Sequence, residues 1–264
     1  MAGILSSEWG AAIRGISVQF KEFFEQNKAS LTTGWDPIVQ TSTDDGAQAT
    51  FSGKTGIGLP TRTAEGGTFA SKNRYKLYDT SFVHSQYTSK LEITRMQFMN
   101  RDFNQSFSET TDFARSFAAF RSKVPAQIFN RIFTSGNGVT NSVHVTVYQD
   151  GKALASTSHP RVDGGSAQSN ASSTGIKLTE SNMEIGRIAL VQQLQDDGVP
   201  MSAMGKIFLI VPTALEKTAT IITGSTARSG TADNDLNFYS GGMFDVMASH
   251  WRGAANGGSD TQWT

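Results

Sequence analysis

The sequence predicts an α+β fold, in which long helices combine with short paired strands. In three long segments, apolar residues recur every three or four positions, which is the spacing of one helix face. Between these segments, apolar and polar residues alternate as they do in half-buried strands. With 264 residues, the chain is long enough to bury a sizeable core. Hydrophobic residues make up 38% of it.

An amphipathic helix is predicted over residues 6–27, and Ser6 or Ser7 can cap its first turn. One face of this helix carries Trp9, Ile13, Ile16, Phe20 and Phe24. Two interpretations of that face stay open. Either it packs against the core of its own chain, or it docks on a neighbouring chain.

Residues 49–80, called the arm below, contain too few apolar residues to build a core of their own. Between residues 49 and 78, five basic residues face the single acid Glu65, which gives a net charge of +4. The basic residues are Lys54, Arg62, Lys72, Arg74 and Lys76. Long segments without a core are usually functional or disordered. We predict a β-hairpin that lies on another subunit, and the alternative is a solvated loop.

The charge balance of the whole chain supports self-association. The formal net charge is zero, which argues against nucleic-acid binding as the main task. Subunits without net charge do not repel one another. Acidic residues elsewhere in the chain must then balance the positive charge of the arm. The candidate partners are Asp44, Asp45, Glu180, Glu184, Asp196 and Asp197.

The segment after the arm carries a strand pattern and then the longest helical signal. Residues 81–98 are predicted as strands, because apolar and polar positions alternate around Phe82 and Leu91. Ser106 and Glu109 form a capping-box pattern that opens a helix over residues 106–134. Its apolar face carries Phe113, Phe117, Phe120, Val124 and Ile128. Pro125 predicts a kink or a break in this helix.

One strand pair, two further strands and two helices are predicted in the remainder. Val143, Val145 and Val147 alternate, Asp150-Gly151 makes a turn, and residues 153–157 return as the partner strand. A polar loop covers residues 160–175. Thr179 opens a helix that ends at Asp197-Gly198. The apolar face of this helix is predicted to be Ile185, Ile188, Val191 and Leu194.

The last part of the chain returns to a strand–helix–strand pattern. The continuous apolar run at 207–211 predicts a strand covered on both faces. A second capping box, Thr213 with Glu216, opens a helix that runs to about Ile222. A polar loop over 224–237 then leads to a strand at 243–251.

No catalytic, metal or cofactor site is predicted. The chain has no cysteine, which excludes disulfides, zinc ribbons and thiol nucleophiles. The phosphate-loop, dinucleotide-binding and Gly-x-Ser-x-Gly patterns all fail at an essential position. The four histidines are isolated, and His159 with Asp163 is the sole weak suggestion of an acid–base pair. No apolar stretch approaches the length of a membrane span.

The order of elements resembles a known family. It combines Ser158-His159-Pro160 before a Gly/Ser/Asn loop, a Leu-Thr-Glu-Ser-Asn helix start at 178–182 and Val-Pro-Thr-Ala-Leu-Glu at 211–216. This combination resembles the major head subunits of Mu-like tailed phages, whose coat fold is shared with encapsulin shells. The resemblance covers residues 106–251 in pattern and the N-terminal portion in organisation. Members of this family usually continue past the region of Trp251 with a further strand, whereas this sequence stops at Thr264.

The resemblance implies a tailed-phage major capsid fold. It implies an N-terminal helix and arm at 1–48, an extended hairpin loop at 49–80, a peripheral domain at 81–160 with a spine helix, and an axial domain at 161–264. It also implies hexamers and pentamers that close an icosahedral head around packaged DNA, which the subunits contact only non-specifically. Portal, scaffold or decoration proteins are the implied partners. Assembly in the host cytoplasm is expected, without a membrane or a cofactor.

Three other interpretations stay open. An encapsulin-like compartment shell would share the fold and enclose cargo instead of a genome. A phage tail or adhesion module would fit the Gly/Ser/Thr-rich composition, although such modules are usually all-β and this chain predicts three long helices. An enzyme with a spatially assembled site is a remote fourth interpretation.

Overall fold

The computed structural model describes residues 17–19, 21–26, 34–92, 94, 96, 103–140, 143–145, 150–200, 205–227 and 235–264. Contacts divide the chain into two compact units. The first comprises residues 1–41 and 86–125, and the second comprises 42–85 and 126–264. Helices and strands both occur, which confirms the mixed composition that the sequence predicts.

The first unit contains aromatic packing on a long helix. Residues 17–19 and 21–26 are helical, and the rest of the helix predicted over 6–27 lies outside the described residues. The Phe24 ring lies 5.6 Å from Phe113 and 5.5 Å from Phe117 between centroids. Tyr87 packs 4.7 Å from Phe120. The contact of Phe24 favours the interpretation that this helix packs on its own chain.

The long helix α1 runs over Phe103–Asn130. It begins before Ser106, so the predicted capping box is wrong, and Glu109 instead accepts a hydrogen bond from Gln105 at 3.2 Å. The predicted break at Pro125 does not occur, although proline removes one backbone donor. The turn that follows contains the buried residues Ala126, Gln127 and Asn130, whose packing holds the helix together. The division between the two compact units falls at this proline.

The arm is a β-hairpin, as predicted. Strands β1 (Gln48–Phe51) and β2 (Thr80–Val83) pair antiparallel. Further along, the Thr55 N–H donates to the Tyr75 carbonyl at 2.8 Å. The strand predicted over 81–98 ends at Val83, and one further backbone hydrogen bond joins the His84 N–H to the Ala47 carbonyl at 3.4 Å. Part of the predicted strand, including Ile93 and Arg95, lies outside the described residues.

A second short hairpin follows α1. Strands β3 (Gly138–Thr140) and β4 (Val143–Val145) pair antiparallel. The prediction that 153–157 is the partner strand is wrong. That segment contacts the turn after α1, where the Ala155 N–H donates to the Ile132 carbonyl at 2.7 Å. The predicted turn at Asp150-Gly151 is present, with Gly151 at a φ of 77°.

The central layer of the second unit is a parallel pair. Strands β5 (Ile207–Pro212) and β6 (Phe244–Ser249) lie side by side in register. The backbone of Thr264 forms two hydrogen bonds with Ile210, at 2.7 and 3.1 Å, on the other edge of β5. Leu209, Ile210 and Val211 are buried in succession, so both faces of β5 are covered there, as the apolar run predicts.

Two helices cover this layer. Helix α2 runs over Glu180–Gln192, and Thr179 caps it as predicted, since its hydroxyl accepts from the Asn182 N–H. Helix α3 runs over Thr213–Gly224, so Thr213 is helical and the second predicted capping box is wrong. The buried cluster between these elements contains Leu178, Met183, Leu209, Val211, Ala219 and Tyr239.

Helix α2 ends earlier than predicted. The backbone of Gln193 is extended, with a ψ of 134°, so the helix cannot reach Asp197. Residues 195–199 instead form a tight turn, in which the Gly198 N–H donates to the Gln195 carbonyl at 2.9 Å. Gly198 adopts a φ of 80°, which glycine tolerates without strain.

Candidate self-association surfaces

Acid–base and metal chemistry find little support in the described residues. Those residues contain no group of three His, Asp or Glu side chains placed to hold a metal ion. The interpretation of His159 with Asp163 is wrong, because the His159 Nδ1 lies 2.6 Å from Asp150 Oδ2. The other ring nitrogen lies 3.2 Å from Asn170 Oδ1. This histidine therefore joins two loops of its own chain.

Arg161 joins the polar loop to the turn at 195–199. Its guanidinium donates to Asp163 and, at 3.1 Å, to the Asp196 carbonyl. The hydrogen bond from Arg161 holds the pKa of Asp163 below its ordinary value. Burial raises the pKa of the Asp196 carboxyl, against the opposing effect of Arg161. These charges fix the turn in place.

A third polar cluster anchors α2. Arg187 donates to both Glu184 carboxylate oxygens at 2.8 and 2.6 Å, and Tyr239 donates at 2.5 Å. The hydrogen bonds from Arg187 and Tyr239 lower the pKa of Glu184 to about 2. Burial, followed by the Glu184 contact, raises the pKa of Tyr239 to about 12. Glu184, a candidate partner of the arm, is therefore already bound within its own unit.

A surface hollow near the end of α1 does not resemble an active site. It encloses about 430 Å³ and is lined mainly by Ala, Ser and Thr, with Lys152 as its one charged lining residue. A catalytic pocket would bring several polar or titratable groups together on an apolar wall. Within the described ranges, no helix has the length and apolarity to cross a membrane.

The five basic residues predicted as intersubunit contacts are all exposed on the arm. Lys76 pairs with Asp79, with 2.7 Å between Nζ and Oδ2. Among the described residues, no acid lies within 4.0 Å of the charged nitrogens of the other four. These four are Lys54, Arg62, Lys72 and Arg74. The structure gathers the predicted residues on one hairpin, where four of the five have no acidic partner among the described residues.

The arm also exposes large apolar side chains. Phe69 is 87% exposed and Leu59 is 62% exposed, which is unusual for residues of this size. The other exposed apolar residues of the hairpin are Phe51, Ile57, Tyr75, Tyr78, Phe82 and Val83. Exposed apolar surface of this extent marks interaction sites. The sequence predicts the arm from its charge, and these scattered apolar residues carry no periodic pattern that would identify them as a surface.

The residues predicted to form the apolar face of α2 are exposed. Ile185 is 60% exposed, Ile188 is 40% exposed, and Val191 and Leu194 are exposed as well. Leu194 lies beyond the end of α2 at Gln192, and we call the other three residues the α2 face. The helix instead buries Met183, and Gly186 faces the ring of Trp263. The periodicity correctly predicts an apolar face, and the described residues leave that face largely exposed.

Comparison of the sequence with protein-family models and with curated proteins finds no match. The structure is similar to a chain in the procapsid of bacteriophage JBD30, with a TM-score of 0.65 and 14% identity. That similarity covers 94% of this chain and 100% of the other. A chain in the JBD30 capsid decorated with minor capsid protein trimers gives a TM-score of 0.55 at 14% identity, over 86% and 97% of the two chains. The chain therefore shares its fold with these two phage shell chains.

Proposed function

We propose, from the fold that it shares with chains of the JBD30 procapsid and capsid, that this protein is the major capsid subunit of a tailed phage. The observation that carries the proposal is the extent of the likeness, which spans 94% of the chain. The absence of a convergent polar pocket in the described residues is consistent with a protein that works through its surface. A shell subunit needs large surfaces that recognise further copies of itself.

Two surfaces fit that requirement. The α2 face is apolar and lies on a regular helix, so it offers a stable area for a second copy of the chain. The arm combines exposed apolar residues with basic residues, of which four have no acidic partner in the described part of their own chain. We propose that the arm lies on a neighbouring subunit in the shell. There Lys54, Arg62, Lys72, Arg74 and Lys76 would face acids of that neighbour.

The finer proposal follows the family resemblance. The subunits form hexamers and pentamers of the Mu-like type, which close an icosahedral head around the DNA genome. Their contact with DNA is non-specific, in keeping with a net charge of zero. Helix α1, the spine helix of the family resemblance, belongs to a peripheral domain at 81–160, and the β5–β6 layer belongs to an axial domain at 161–264.

The proposed partners and location follow from the same assignment. The JBD30 capsid carries minor capsid protein trimers as decoration. A decoration protein is therefore a proposed partner here, together with portal and scaffold proteins. The proposed location is the virion, after assembly in the host cytoplasm.

Electron microscopy and sedimentation of the purified protein test this function directly. We expect rings or closed shells in negative stain when the salt permits assembly. Shells that contain DNA after production in infected cells would support the phage head, whereas shells that never contain DNA would favour an encapsulin-like compartment. A compact monomer at high protein concentration under these conditions would overturn the proposal.

A further inference from the structure

The arm touches the acidic turn of its own chain at one point. A Cβ atom placed on Gly56 would overlap Oδ2 of Asp197 and lie 3.0 Å from its Cγ. At Gly58, the same construction lies 3.1 Å from the Asp197 carbonyl oxygen. A side chain at Gly56 would therefore displace the Asp197 carboxylate, and one at Gly58 would crowd the turn. Gly58 also has a φ of 75°, a backbone conformation that favours glycine.

The turn that receives the arm is held rigidly. Asp197 Oδ1 accepts a hydrogen bond from the Val199 N–H at 3.0 Å, which fixes the side chain that faces Gly56. Arg161 binds the carbonyl of Asp196 from the other side. The turn is therefore shaped by its own hydrogen bonds, and the arm lies against a ready-made surface.

Charge favours the same contact. The Lys72 Nζ lies 4.0 Å from the Cβ position of Gly58, so this cation is held beside the point where the arm meets Asp197. The turn carries two adjacent acids, Asp196 and Asp197, whereas the arm has a net positive charge. Opposite charges separated by a few ångströms attract even near solvent.

We propose that Gly56, Gly58 and the turn at 195–199 form an intramolecular latch, which holds the arm on its own chain before assembly. The latch must open when the arm moves to a neighbouring subunit, and this second step rests on the proposed function. The restraint would limit premature association, because an arm that is bound in its own chain cannot bind another copy at the same site.

An engineered disulfide tests the latch in the intact chain. The Cβ position on Gly56 lies 3.6 Å from the Cβ of Asp197, within the range of about 3.5–4.5 Å that disulfides require. The chain has no cysteine of its own, so Gly56→Cys with Asp197→Cys introduces one possible pair. On mild oxidation of unassembled subunits, we expect an intramolecular disulfide and the loss of assembly. Reduction should restore assembly.

The control is Gly175→Cys with Asp197→Cys. A Cβ on Gly175 has no neighbour within 4 Å, so this pair has the same chemistry without the proximity. We expect little disulfide in the control, as measured by thiol titration and a non-reducing gel. If the Gly56 pair forms no more disulfide than the control, the latch does not exist. If the disulfide joins two chains, the arm docks between subunits from the start.

Assembly of the locked protein separates the two halves of the proposal. If oxidised subunits assemble as well as reduced ones, or if reduced subunits fail where the unmodified chain succeeds, the latch is not a restraint on assembly. If the disulfide forms within one chain but the unmodified chain never assembles, the latch stands. In that case the proposed function is wrong.

Discussion

The α2 face gives the sharpest test of self-association. Ile185 is 60% exposed and Ile188 is 40% exposed, so together they leave about one whole isoleucine in water. Burying an isoleucine completely contributes about 1.5–3 kcal/mol. If a second subunit covers both residues, their loss should therefore weaken each contact by roughly 10- to 150-fold.

The variant for this test is Ile185→Gln with Ile188→Gln. Glutamine is close to isoleucine in size and is a good helix former, so α2 should remain folded. Sedimentation velocity over a concentration series gives the concentration at which assembly begins. We expect this concentration to rise by the factor above. The buried parts of the two side chains also add up to about one isoleucine, so the unassembled subunit should unfold at a lower temperature, and assembly is compared at a temperature where the variant is still folded.

The matched control is Ile221→Gln on α3, where the isoleucine is 43% exposed. It makes the same chemical change at similar exposure on a different helix. We expect it to leave assembly nearly unchanged. The reasoning is refuted if the double variant assembles at the same concentration as the unmodified chain, or if the control weakens assembly equally.

Three further predictions concern charge, helix shape and pH. Replacing Arg62, Lys72 and Arg74 by Glu should leave a folded subunit that assembles poorly at low salt and better at high salt, because salt screens the new repulsion; normal assembly at low salt, measured by sedimentation, would exclude an electrostatic role for the arm. Pro125→Ala restores a backbone donor in α1 and should change particle size or yield in micrographs, whereas unchanged particles would show that the proline has no architectural role. The pKa of Glu184 is lowered from 4.5 to about 2, so it stabilises the fold above pH 4.5 and loses this effect as the pH falls through 2. Glu184→Gln should flatten that dependence in unfolding measurements, and an unchanged slope would contradict this account.

Local signals predicted local structure well. Thr179 was identified as a helix cap, because capping depends on a side chain and a backbone N–H only three residues apart. The same kind of pattern failed at Ser106 and Thr213, where the helix begins earlier or where Pro212 occupies the cap position. A capping box shows that a start is possible, but the residues before it decide whether the helix has already begun.

Long-range pairing could not be predicted from these patterns. The apolar run in β5 indicated burial on both faces, yet nothing local identifies β6 as its parallel neighbour. The partner of β4 was placed downstream, whereas β3 precedes it. Each strand carries the alternation that suits many partners, and tertiary packing selects one of them.

The α2 face shows a different limit of sequence patterns. Periodicity identified Ile185 and Ile188 as members of one apolar face, but it does not reveal which molecule covers them. The basic arm has the same limit, since composition indicates an excess of positive charge without locating the acids that balance it. Interfaces between copies and cores within one chain are built from the same kinds of side chains, so a sequence pattern does not tell them apart.

The place of Trp263 in the fold has a consequence for synthesis on the ribosome. Its indole N–H donates to the Ile176 carbonyl at 3.0 Å, and its ring faces Gly186 on α2. A nascent chain that has emerged only as far as α3 lacks both this tryptophan and the partner strand of β5. At about 5–20 residues per second, the missing segment takes seconds to appear. During that interval β5 has unpaired edges of the kind that chaperones shield, and α2 acquires its final support only when Trp263 has left the exit tunnel.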